Sequence, residues 1–341
     1  MRCESAHPAL RLTLSLHTSM KMPASLKAIS VLLSLLVTTY AQAQTLQYPD
    51  SSLLDSLLHT NPALARVLSH PTTYQLQLIY TQIDRDAQNV PHFTQHTYHL
   101  NPRQYFNPAS LVKLPVAILS LEKLHTLPIP INRSTIMSTG AAWRCQTSVP
   151  FAAPADSNRL ATVGNYIKRM LLVSDNLAYN RLYEFLGQKP LNNRLQQLGY
   201  PGSRIVRRFA PCDTAANRHT NPIAFHTLTG DTLYKQPAQL NPHTPASPLG
   251  PVFVGRAYKV GNTIIHQPYN FTTANNLPLP DITAFLQIAL FPEAIPATKR
   301  PQLTAIDYAF LRQYLHLTPH VSHFTPYAAP KYFDAYKKYL Y

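Results

Sequence analysis

Residues 110–126 read SLVKLPVAILSLEKLHT. Apolar side chains fill most positions (Leu111, Val112, Leu114, Val116, Ile118, Leu119), so the stretch predicts a central helix buried on most sides. Pro115 fits only within the first turn or so, which starts the helix close to Ser110. A serine hydroxyl is a poor nucleophile until a neighbour takes its proton. Residues i and i+3 share a helix face, so Lys113 can reach the Ser110 oxygen. Lysine acts as a base only when burial lowers its pKa, and Leu111, Val112 and Leu114 can supply that burial. A helix start also offers free backbone N–H groups that can stabilise an oxyanion. Alone, Ser-x-x-Lys equally describes a helix cap followed by a solvated lysine.

A second motif supplies the context. Ser174-Asp175-Asn176 follows 64 residues later, between two predicted helices. Ser-x-x-Lys followed by Ser-Asp-Asn is the signature of class A β-lactamases and penicillin-binding proteins. Around both motifs the chain resembles that superfamily, through FNPASLVKLPVAILSLEKL (106–124) and LLVSDNLAYNRLYEFLG (171–187). The resemblance spans residues 50–230. It implies that Ser110 attacks the carbonyl of a β-lactam or of a peptidoglycan stem peptide, with Lys113 accepting its proton. It further implies that Ser174 relays a proton towards the leaving nitrogen and that Asn176 hydrogen-bonds the substrate amide. Asp175 is expected to shape the loop.

The fold class implied is α+β, β-lactamase/transpeptidase-like: an antiparallel sheet flanked by helices, plus an all-helical lobe carrying Ser174–Asn176. The residues themselves predict helices over 51–68 (interrupted at Asn61-Pro62), 159–173, 177–186, 191–198, 280–291 and 304–316. Gly187 and Gly199 close two of them. TYQLQLIYTQID (73–84) alternates as a strand and joins a second near 92–100 through a turn at Asp84–Asn89. Five prolines make 236–252 an irregular loop, and the tail 327–341 reads as Tyr- and Lys-rich helix.

Late strands are not evident. The family's third motif, Lys-[Ser/Thr]-Gly on a late strand, has its nearest counterpart in Lys259-Val260-Gly261, which reads better as a surface hairpin or loop. The domain over 44–341 is therefore expected to be incomplete at its C-terminus. Hydrolytic members also need a carboxylate after Ser-Asp-Asn to activate the deacylating water. Between Leu177 and Tyr258 the acids are Glu184, Asp213 and Asp231. Asp213 is either that base or a turn former. Without such a base an acyl-enzyme would form and linger.

Composition sets the compartment and the partners. Apolar residues make up 45% and charged residues 13%, which favours a packed core over disorder. Lys and Arg outnumber Asp and Glu by 30 to 15, giving a formal charge of +15 that suits contact with cell-wall polyanions. Residues 22–43 read as a leader: lysines, a short apolar core, then Ala41-Gln42-Ala43. Residues 1–43 are thus a signal peptide with an upstream extension, or else an N-terminal anchor. The protein is expected in the periplasm or secreted, with no stable membrane span once cleaved. Cys145 and Cys212 can pair in that oxidising compartment, or remain separate thiols. The Arg204, Arg207, Arg208 cluster reads as a solvated face rather than a nucleic-acid site. His219 is expected to order its loop. The sequence holds no metal-ligand spacing and no phosphate-binding loop, so neither metal nor other cofactor is expected.

Three readings follow: an acyl-transferring hydrolase of β-lactams, a D-Ala-D-Ala peptidase of the same fold, and a non-catalytic remnant that binds the cell envelope.

Overall fold

Among the described residues the first helix is α1 (Ser52–His59). After Asn61 caps a 3-10 turn, α2 (Ala65–Leu68) and α3 (Pro71–Tyr74) follow. The computed structural model describes residues 48–151, 160–322 and 332–334. The expected leader and most of the expected tail helix lie outside these. From Tyr48 onward the chain forms one unit.

β1 (Leu78–Arg85) and β2 (Pro91–Tyr98) make an antiparallel hairpin, with Leu78 opposite Tyr98. Asp86 makes the turn: its Oδ1 accepts from the Gln88 and Val90 N–H groups, and Asn89 takes a left-handed φ of 62°. The strand begins later than its alternation suggests. Pro71 starts α3 instead, and Gln75 ends it in a left-handed conformation. Leu54, Leu68 and Tyr98 pack as a small separate core between hairpin and first helices.

The main core surrounds α4 (Lys113–Thr126), entered through a 3-10 turn at Ala109–Val112. Leu114, Val116, Ala117, Ile118 and Leu121 are all fully buried. Around α4 pack α5 (Val163–Val173), α6 (Asn176–Leu186) and, through shared core residues, α7 (Gln188–Gln197). Two later helices, α8 (Leu279–Leu290) and α9 (Ala305–His316), complete the layer. Thr304 and Asp307 form a reciprocal cap at the start of α9. No helix among the described residues is long and apolar enough to cross a membrane.

The main sheet has three antiparallel strands, β3 (Ile136–Thr139), β5 (Ile223–His226) and β6 (Thr232–Gln236), in the order β3-β5-β6. Its neighbour ladder pairs β4 (His219–Thr220) with β7 (Gln239–Leu240), so the proline-rich stretch contains one short strand. This mix of helices and antiparallel sheet is the expected α+β class. The sheet was not legible as strands because its members are short and β3 lies far along the chain from β5.

After β7 come four short strands. β8 (Phe253–Val254) pairs with β11 (Tyr269–Asn270), and β9 (Tyr258–Val260) with β10 (Thr263–Ile265). Lys259-Val260-Gly261 lies at the exposed tip of this hairpin, where Gly261 turns the chain at φ 57°. Its strands pair only with each other and do not join the β1–β2 ladder.

Lys123, on the inner side of α4, ties the layers together. Its Nζ donates to the Phe185 carbonyl and to Gln236 Oε1 at 2.6 Å, and lies 4.5 Å above the Phe185 ring. Loss of hydration pushes its pKa down to about 8. The unfolded chain therefore holds this proton to higher pH than the native state does. Stability should rise as pH climbs from about 8 towards 10. Chemical denaturation at stepped pH should show that rise in the wild type and not in Lys123→Met.

Candidate functional site

The site forms where α4 begins and where α5 turns into α6. Ser110 sits in the 3-10 turn one helical step before Lys113, so both side chains leave the same side. Ala109, directly before the serine, holds a left-handed φ of 42°, a conformation that costs about 1–3 kcal/mol and needs support from its surroundings. Ser174 is left-handed too, at φ 57°, where it caps the C-terminus of α5. That reversal lets Asp175 start α6 at once, accepting from the Ala178 N–H through Oδ1. Its other oxygen takes Arg169 Nη2 at 2.6 Å and Nε at 3.0 Å. Asp175 therefore shapes the turn, as expected.

Three polar atoms make a closed triangle. Lys113 Nζ is 3.1 Å from Ser110 Oγ and 2.9 Å from Ser174 Oγ, and Ser174 Oγ donates to Ser110 Oγ at 2.9 Å. The amine also donates to the Ser174 carbonyl at 2.5 Å and to Asn176 Oδ1 at 2.8 Å. Lys113 has no exposed surface. All four residues singled out in the sequence, Ser110, Lys113, Ser174 and Asn176, thus share one cluster. Chemically, it offers a hydroxyl, an amine and a second hydroxyl in mutual proton-transfer reach.

Sequence reasoning missed the loop that closes this cluster. The Phe209 ring centre lies 4.6 Å from Lys113 Nζ, so an aromatic face covers the amine. α6 holds that loop in place. Asn180 clamps Phe209 at both ends, donating to its carbonyl and accepting from its N–H. Tyr179 donates to the Arg207 carbonyl and Tyr183 to the Asn217 carbonyl. Their 3–4 residue spacing along α6 was the one available signal.

The arginines correct the sequence reading. Arg204 and Arg208 are buried rather than solvated. Arg204 donates to the Thr272 and Ala274 carbonyls, both at 2.6 Å. Arg208 meets Glu184 Oε1 at 2.8 Å and also donates to the Ala216 and His219 carbonyls. A guanidinium can be buried when backbone carbonyls of an irregular loop satisfy its donors, and composition does not reveal such carbonyls. Glu184 is buried between Arg208 and Arg181, whose Nη1 lies 3.1 Å from Oε2. Burial pushes its carboxyl pKa up, and the two guanidiniums oppose that.

The other acids are also engaged. Asp213 takes Arg144 at 2.6 Å and the Ala216 N–H at 2.7 Å, and these contacts lower its pKa, the Ala216 bond foremost. Asp231 accepts from Thr229 within a turn. None of these three carboxylates hydrogen-bonds Ser110 or Lys113, so Asp213 takes the turn-forming role in this structure. Cys145 and Cys212 form a disulfide, which ties the loop after β3 to the loop carrying Phe209. His219 stacks on Trp143 at 3.6 Å, within the same tie. Among the described residues no cluster of His, Cys, Asp or Glu could hold a metal.

Glu184 is the most exacting test of this scaffold. Glu184→Ala leaves two buried guanidiniums without their carboxylate and should cost about 3–5 kcal/mol, read by urea denaturation. Glu184→Gln keeps an acceptor and should lose less.

Residues 68–238, half of the chain, match the model of the β-lactamase enzyme family. No curated protein matches the chain. The matched stretch holds both motifs, the Phe209 loop and the three-stranded sheet. With this architecture around a serine–lysine–serine cluster, the chain belongs to the β-lactamase enzyme family, within the superfamily of serine β-lactamase-like and penicillin-binding hydrolases.

Proposed function

We propose that this protein is an exported serine hydrolase that forms an acyl-enzyme on Ser110 with β-lactams or related amides. The observation that carries the reading is the triangle of Ser110 Oγ, Lys113 Nζ and Ser174 Oγ, with every edge between 2.9 and 3.1 Å.

In the proposed reaction Ser110 Oγ attacks the substrate carbonyl carbon while its proton passes to a neutral Lys113 amine. The C–N bond of the tetrahedral intermediate then breaks. The nitrogen leaves with a proton from Ser174, which is replenished from Lys113 across the 2.9 Å contact. Asn176 has its Oδ1 on Lys113, which leaves its amide NH₂ to bind the substrate's carbonyl.

One further observation bears on the fate of the adduct. The Phe209 ring covers Lys113, and the next two residues are Ala210 and Pro211. A water attacking the ester there would lack a carboxylate base from that stretch.

Intact mass after incubation with benzylpenicillin tests the reading. Wild type should gain the mass of one intact β-lactam, and Ser110→Ala should gain none. Lys113→Ala should slow adduct formation by about 10²–10⁴-fold. A folded wild type with no adduct, or an adduct that persists on Ser110→Ala, would sink the proposal. Persistence of the adduct for hours favours the peptidase; loss within seconds favours the lactamase.

A further inference from the structure

A cavity of about 650 Å³ opens beside the serine and lysine. One side is formed by Ala109, the residue before Ser110, and by Phe209, the ring over Lys113. The opposite side comes from the β8–β11 arm, which follows the family-matched residues 68–238. Here Tyr258, Tyr269 and Phe271 make a continuous aromatic wall. Their ring centres are 5.0 Å apart from Tyr258 to Tyr269 and 4.7 Å from Tyr269 to Phe271. Tyr105 extends the row, 4.9 Å from Phe271. Such offset and edge contacts hold the rings in a fixed array rather than as separate mobile side chains.

The arm is anchored at its base, where the Phe271 N–H donates to the Val252 carbonyl and Arg204 donates to the Thr272 carbonyl. Beyond that base it is largely exposed, with Phe253, Val260, Ile264 and Tyr269 open to solvent. Exposed apolar surface on a projecting arm, facing a cavity next to the serine–lysine cluster, marks a place for a ligand.

Charge narrows the ligand class. Arg207 lines the same cavity. Its neighbours Arg204 and Arg208 have their guanidiniums held by carbonyls and Glu184. Arg207 is half-buried, and no carboxylate pairs with it among the described residues. A cation beside flat aromatic faces suits an anion joined to a ring.

We propose that the arm and Arg207 form a subsite for an aromatic acyl substituent bearing a carboxylate. The inference rests on the reading that the acyl group is delivered to Ser110, and its test separates the two. Binding is measured by calorimetry on Ser110→Ala, which cannot be acylated at that position. The probes are benzylpenicillin, carbenicillin, ampicillin and 6-aminopenicillanic acid. The first three share a phenyl ring and carry nothing, a carboxylate or an ammonium on the adjacent carbon; the last lacks the ring.

Carbenicillin should bind about tenfold tighter than benzylpenicillin, and ampicillin several-fold weaker. Arg207→Gln should abolish that ranking while keeping benzylpenicillin affinity, and Arg207→Lys should restore part of it. Tyr269→Ser should weaken all three aryl penicillins by about tenfold and leave 6-aminopenicillanic acid unchanged. Tyr258→Ser, nearer the tip, should act in the same direction and guards against local unfolding of the arm. If Ser110→Ala shows this ranking while wild type forms no adduct, the subsite stands and the acylation reading falls. If wild type is acylated but affinities ignore both ring and carboxylate, the subsite falls alone. Failure of Ser110→Ala to bind any of the four also overturns the subsite.

Discussion

The structure turns on how one fully buried lysine is satisfied. An amine removed from water is tolerated only where oxygens replace its hydration. Lys113 finds those oxygens on two different parts of the chain: its own helix start, and the turn between α5 and α6. The three contacts to Ser174 and Asn176 also pin α4 to the α5–α6 junction. Local backbone follows from this demand. In its left-handed conformation Ser174 points its carbonyl and hydroxyl towards the same nitrogen. Reactive geometry and core packing are therefore one arrangement, not a site added to a finished fold.

Around that arrangement, α6 acts as a ruler. Its first residue, Asn176, faces Lys113, and its next turns hold the loop that covers the lysine. Glu184, deeper on the helix, neutralises Arg208 and so fixes where the loop leaves the core. The disulfide between Cys145 and Cys212 holds the loop from its outer side. Rigid support of this kind matters because proton transfer falls off steeply with misplacement of the reacting atoms.

The opposite wall follows a different logic. The arm from β8 to β11 is a narrow, two-stranded projection with few main-chain ties to the core. Its rings hold one another, and its exposed tip carries Lys259 away from the β1–β2 ladder. One side of the cleft is thus set by the buried core and the other by a largely exposed surface element.

The Ser110–Lys113 pair was legible in the sequence because helix periodicity is local: three-residue spacing puts both on one face. Ser174 and Asn176, 64 and 66 residues beyond Ser110, were legible only through the resemblance to the β-lactamase superfamily. The buried helix α4, the flanking helices and the first hairpin were legible as the pair was, since each declares itself within its own period. The sheet β3-β5-β6 was not, because each strand is too short to alternate visibly and its partners lie far along the chain. Nor was the fate of the arginines, because a buried guanidinium depends on backbone carbonyls that only the folded loop presents. Sequence alone determined that Ser110 and Lys113 share a helix face, because that spacing is local. Tertiary structure alone decided what covers them, an aromatic ring over Lys113 and an aromatic arm across the cleft, because those neighbours are set by loop closure rather than by any repeating pattern.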